Sequence, residues 1–399
     1  MFEFFSTAPY FELFNSTTVD LMQNLSRSMF LGVGIEYRNS FRFWDKVESR
    51  RVFGSTFPDE SFCTESQHRD LDIIAAFGSP TPGSDQYLLH YAPGWDKNLH
   101  PVPVLLVPGA GLDATSFNDL YAMEYTGLQQ QLTSLGYRVF VITFSHLHGD
   151  NYIQAEQLAA ATQRVREVTG QKKIDIIAHS KGGMAARLYL SNLAGTRYRD
   201  DVRRYIMLGT PNLGLDYPFR TPLFNYVIFT SGSSGVLAWD RVMAFGSLID
   251  TTERSIYKGG AFPGQSQMLH RWDDEYELDK MQPNSWTTYY GGPGLISHSR
   301  GIDDALAYGG DLIQKMDHSK LEDGIEFSVL AGDKSTFRGI SGDETGPGDG
   351  IVFVDSAIYT DGLNGKGARL KEKAILSVNH MELLYSRRVA RWVDTQLST

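Results

Sequence analysis

The chain has 399 residues, 42% hydrophobic and 12% aromatic, with 20 Tyr, 23 Phe and 6 Trp, a composition that excludes a disordered or low-complexity chain and suits one large α/β core. Its 47 acidic residues outnumber the 37 Lys and Arg for a net charge of −10, and no basic run interrupts them, so nucleic acid is excluded as a partner. The single cysteine, Cys63, rules out an internal disulfide and a thiolate metal cluster.

Residues 1–85 show no strand–helix alternation and read as an N-terminal extension, in which Val19, Leu21, Met22, Leu25, Met29 and Phe30 suggest one amphipathic helix. Glu3 stands where an export signal carries positive charge, which assigns the chain as written to the cytoplasm; a secreted protein with its leader removed is the alternative. No stretch reaches the roughly 18 apolar residues of a membrane span. From Gln86 the texture changes to alternation. QYLLHYAP, PVPVLLVPG and YRVFVITF read as strands, with a helix closed by Gly136 between the second and third. A helix from Gln154 to Val168 capped by Gly170, the strand KIDIIAHS, a helix from Gly182 to about Leu193 and the strand VRRYIMLGT follow. The strands IEFSVLAG and AILSV and a last helix, MELLYSRRVARWVDTQL, complete the series. This is the pattern of a mostly parallel, doubly wound sheet. Residues 86–211 and 322–399 form that core; residues 212–321, rich in Gly, Pro and aromatics, are too long for a connection and read as an inserted lid or cap.

At 176–183 an apolar strand runs into Ile-Ile-Ala-His-Ser-Lys-Gly-Gly. A serine on a sharp strand-to-helix turn needs small residues two before and two after it, because strand and helix nearly touch there. Ala178 and Gly182 meet that demand around Ser180, the candidate nucleophile, while His179 reads as a pocket-wall neighbour. The first amide of the following helix, that of Lys181, faces the developing oxyanion, and the Lys181 ammonium has no assigned part. A second donor is expected from the loop in VLLVPGAGLDATSF, with Ala110 preferred and Gly111 the alternative. A serine hydroxyl needs a histidine base held by a carboxylate, in the chain order Ser, acid, His. Of His298, His318 and His380, the last lies just past the final strand and is taken as the base. Asp349, in GPGDGIVFVDSA, is favoured as the acid over Asp333, with Asp355 a weaker third choice.

With VPGAG, IIAHSKGG, LGTPNLG, DGIVFVDSA and NHMELL in this order, residues 100–395 resemble the bacterial true lipases of the α/β-hydrolase superfamily. The resemblance implies an α/β-hydrolase fold with a mobile lid and ester hydrolysis by Ser180, Asp349 and His380, with the Ala110 and Lys181 amides as oxyanion hole. It departs at Pro108, where the family has histidine, and in the first 85 residues, which have no counterpart. The family's calcium-binding aspartate is matched only by Glu382, and no metal or other cofactor is expected. The expected partner is an ester or lipid substrate, with transient lipid-surface contact through the apolar lid stretch 222–239. A polyester depolymerase and an acyltransferase would use the same triad and are the alternatives; a scaffold without activity is disfavoured by the intact triad.

Overall fold

The computed structural model describes residues 40–54, 57–63, 66–118, 125–220, 239–244, 247–250, 256, 260–282, 284–294, 297–337 and 340–398. The helix expected over Val19–Phe30 and the lid stretch 222–238 lie outside the described residues.

Eight strands make the main sheet: β1 (Lys46–Arg51), β2 (Gln86–Tyr91), β3 (Val104–Val107), β4 (Val139–Phe144), β5 (Ile174–His179), β6 (Val202–Leu208), β7 (Glu326–Gly332) and β8 (Arg369–Leu376). Their spatial order is β1-β2-β4-β3-β5-β6-β7-β8. The pairs β1–β2 and β2–β4 are antiparallel, and every pair from β4 to β8 is parallel. Five helices matter for the argument: α1 (Leu71–Phe77), α2 (Leu128–Ser134), α3 (Asn151–Thr169), α4 (Lys181–Leu190) and α5 (Arg387–Ser398).

Successive strand residues point to opposite faces. Leu105, Val107, Phe140 and Ile142 therefore share one apolar layer with Leu158 and Val165 of α3 and Met184 and Leu188 of α4. Val104, Leu106, Val139 and Val141 share the other with Leu128 and Leu132 of α2 and Val389 and Val393 of α5. Burial on both faces requires a continuous apolar run rather than alternation, which is why VLLV and VFVITF were readable as strands. The helix limits have local causes as well. Asp150 caps α3 by accepting from the Tyr152 and Ile153 amides, and Gly170, at φ 68°, closes it.

The structure departs from expectation at the sheet edges. Strand β1 lies inside the N-terminal extension, where KVESRR shows no strand-like apolar pattern because one side of an edge strand meets water. Likewise β8 begins at Arg369, five residues ahead of Ala374, the first residue of the expected run, since RLKEK occupies the opposite, exposed edge. The last helix is split: a 3₁₀ turn at Glu382–Leu384 is separated from α5 by Tyr385 and Ser386, with Tyr385 at φ −142° outside the helical region. In the insertion, Phe219, Phe262, Leu269, Tyr289 and Ile302 form a small core of their own. Its last helix, Leu312–His318, instead sends Leu312, Ile313 and Met316 into the main core.

A two-pronged ion pair fastens β1 to α3. Arg164 donates through Nε and Nη2 to the two oxygens of Glu48, each at 2.9 Å. Those hydrogen bonds hold the Glu48 carboxyl at about 2, below its ordinary 4.5. A carboxylate with a lowered pKa stabilises the fold above the unfolded value and loses that contribution as pH falls. Arg164→Met is expected to cost about 1 kcal/mol at pH 7, given the partial exposure of the pair. Urea denaturation across pH should show the gap between variant and wild type closing as pH drops from 4.5 toward 2.

Candidate active site

Ser180 stands at the carboxyl end of the central strand β5, with φ 52° and ψ −128°. A non-glycine residue reaches that region only where the surrounding structure forces it. The forcing is steric and visible at Gly182: a Cβ there would lie 2.4 Å from the Pro108 carbonyl oxygen and 2.8 Å from that of Val107. Helix α4 thus starts in contact with the loop after β3, and only glycine permits the approach. Gly109 closes the same contact from the other side, since its Cβ would lie 2.9 Å from the Ser180 Cβ and 2.8 Å from His179 Nδ1.

Asp349 and His380 are brought together at the same edge of the sheet. His380 Nδ1 is 2.7 Å from Asp349 Oδ2, with the histidine 4% exposed and the aspartate fully buried. The other carboxylate oxygen accepts from the Ile351 and Val352 amides at 3.1 and 2.8 Å, and the His380 amide donates to the Asp349 carbonyl at 3.0 Å. A carboxylate so fixed acts as acceptor, so Nδ1 of His380 carries the proton and Nε2 is left as a base. His179 ties this pair to the Ser180 turn: its Nε2 donates to the His380 carbonyl at 3.0 Å, and the two rings sit 4.7 Å apart. Burial and then His380 hold the pKa of His179 well below the ordinary value, so it stays neutral.

The rival acids are elsewhere. Asp333 is exposed, and Asp355 is exposed and accepts from the Tyr276 hydroxyl at 2.7 Å. His318, the rival base, is exposed and bonded to the Gln314 carbonyl of its own helix; His298 sits in a strand of the insertion. Gly111 is removed as an oxyanion donor because its amide donates to the Leu147 carbonyl at 3.0 Å. The Ala110 amide makes no hydrogen bond among the described residues, and that of Lys181, first in α4, has no intrahelical acceptor. Glu382 pairs with Lys334 at 2.6 Å through Oε1 and accepts from the Asn379 amide at 3.0 Å through Oε2, so its charge starts the 3₁₀ turn.

The Lys181 side chain, given no part by the sequence, is 1% exposed and donates to Gln154 Oε1. Burial lowers its pKa to about 7, against the pull of Glu60 and Asp150. Burial likewise raises Glu60 to about 7, although it accepts from the Asp150 amide. Gly264 of the insertion rests on this lysine, as a Cβ there would lie 2.2 Å from Lys181 Cε. The ammonium therefore joins helix α4, the N-terminal segment and the insertion. No spacing rule in the sequence links residues 60, 181 and 264.

Residues 101–209, from the start of β3's lead-in to the end of β6, match the family model for class 2 lipases. That window holds both the oxyanion loop and the Ser180 turn. In this window the chain is similar to the class 2 lipases. Two curated relatives are triacylglycerol lipases, from Pseudarthrobacter phenanthrenivorans and Burkholderia plantarii. Each is 30% identical over 158 residues, which is 38% of this chain and 46% and 41% of theirs. The match thus spans less than half the length of these relatives. A solved Bacillus licheniformis lipase in its mature form superposes over 78% of this chain and 97% of its own, with 16% identity and a TM-score of 0.41.

The glycine contact at the turn is directly testable. Gly182→Ala should destabilise the chain by roughly 1–3 kcal/mol, the ordinary cost of overpacking, in urea denaturation. Stability equal to wild type would mean that helix α4 does not approach Pro108 as described.

Proposed function

We propose that the chain is a serine carboxylic-ester hydrolase acting on acyl esters of the acylglycerol kind. The observation that carries this reading is the buried Asp349–His380 hydrogen bond tied through His179 to the turn that strains Ser180. In this reading His380 Nε2 takes the proton as Ser180 Oγ attacks the ester carbonyl. The Ala110 and Lys181 amides donate to the resulting oxyanion, each worth roughly 3 kcal/mol. His380 then returns the proton to the departing alcohol, leaving an acyl-Ser180 ester. Water, deprotonated by the same imidazole, releases the acid and restores the hydroxyl. The curated relatives' name, triacylglycerol lipase, supports the substrate class.

Mass spectrometry after reaction with a fluorophosphonate is expected to find the label on Ser180, and Ser180→Ala is expected to lose about 10⁴-fold or more in kcat on p-nitrophenyl esters. Label on another residue, or full activity in the variant, would overturn the assignment.

The acid is tested separately. Asp349→Asn should cost about as much as loss of the nucleophile, because an amide there stabilises the wrong imidazole tautomer. Asp333→Asn should stay within about twofold of wild type, as an exposed group outside the constellation does. Comparable kinetics for the two variants would place the acid elsewhere.

A further inference from the structure

Beside the oxyanion loop lies a histidine that the triad does not use. His148, in the loop between β4 and α3, is 6% exposed and held on three sides. Its amide donates to His146 Nδ1 at 3.0 Å, its carbonyl accepts from Gly264 at 3.0 Å, and Phe262 packs edge-on against its ring at 4.7 Å. The Gln265 amide nitrogen lies 2.8 Å from its Nδ1. An amide N–H donates, so Nδ1 is the acceptor and the ring proton resides on Nε2. Burial first, then His146 and Lys181, keep the pKa of the ring well below the usual imidazole value, so this proton belongs to a neutral donor.

That donor has no hydrogen-bond partner among the described residues, and its edge of the ring faces the oxyanion loop. A Cβ on Gly111 would stand 3.2 Å from both Cε1 and Nε2 of His148. Two residues earlier, Gly109 abuts Ser180. Two residues of chain reach at most about 7 Å, so the loop that carries the Ala110 amide touches Ser180 at one end and the Nε2 edge of His148 at the other. Resting on the ester-hydrolase reading above, we propose that His148 is a specificity-determining residue whose Nε2–H donates to a second oxygen of the substrate, a few bonds from the scissile carbonyl, as acylglycerols carry. Covering the N–H with a plain hydrocarbon leaves a polar group desolvated and unpaired, whereas an oxygen there satisfies it. A site built to hydrogen-bond discriminates strongly against the analogue lacking the partner.

The test compares tributyrin with propyl butyrate, both below their solubility limits, on the full chain. His148→Phe is expected to lower kcat/KM for tributyrin about 10-fold or more while leaving propyl butyrate within about twofold, and His148→Gln, whose amide can donate from nearly the same place, is expected to restore most of the preference. Nitrogen-15 NMR of the wild-type histidines should show the Nε2–H tautomer at His148. Equal losses on the two esters, no loss on either, or an Nδ1–H tautomer would overturn this inference alone. Wild-type protein that hydrolyses neither ester would overturn the hydrolase reading and this inference with it.

Discussion

The close approach of helix α4 to the loop after β3 is the constraint on which the site depends. With Gly182 over the Pro108 carbonyl and Gly109 against Ser180, there is no room for a relaxed turn, and Ser180 is held at φ 52°. The same contact sets the first amide of α4 and the loop of Ala110 next to the serine turn. In the proposed function, nucleophile and oxyanion donors are therefore consequences of one packing event. They also depend on the doubly covered sheet behind them, because a strained residue persists only where the surrounding structure over-determines it.

Buried polar groups set the second level of organisation. Asp349 is fully buried, yet each of its oxygens has a donor, and the pairing fixes the His380 tautomer. Lys181 is handled differently. Its ammonium has Gln154 as hydrogen-bond partner and Glu60 and Asp150 as neighbouring charges, and burial moves Lys181 and Glu60 toward each other until both titrate near 7. Such a cluster adds polar contacts between an N-terminal segment, two core helices and the insertion to the apolar packing they share. Its desolvation cost is offset where each member retains a partner. Arg187 in α4 follows the same logic without a carboxylate, donating to the carbonyls of Asn212, Met316 and Gly362 and so tying α4 to two connecting segments and the helix Leu312–His318.

The insertion has two characters. Its middle part packs on itself around Phe262 and Tyr289, while Leu312–His318 belongs to the main core. Between them, residues 262–267 lie against the site: Gly264 on Lys181, Gln265 and Phe262 on His148, and Gln267 on Asp150 and Asn151. The part of the insertion nearest the chemistry is thus bound by polar contacts, which fix its position by direction as well as by shape.

Local pattern was enough for whatever is decided within a few residues. The buried strands, the cap at Gly170, the small residues around Ser180, and the order of Ser180, Asp349 and His380 could be read from the chain, because periodicity, capping and turn sterics act over short spans; the cap at Asp150, four residues ahead of the expected helix start, was not. Edge strands β1 and β8 were missed or shortened, since water on one side relaxes the apolar pattern that identifies a strand. The choice between Ala110 and Gly111 needed the Leu147 carbonyl, and the choice of Asp349 over Asp333 needed two amides and an imidazole arriving from other segments. The parts played by Lys181, Glu60 and His148 were decided only in three dimensions: a buried charge or a free imidazole N–H takes its meaning from what surrounds it, and those neighbours come from residues as far apart as 60 and 265.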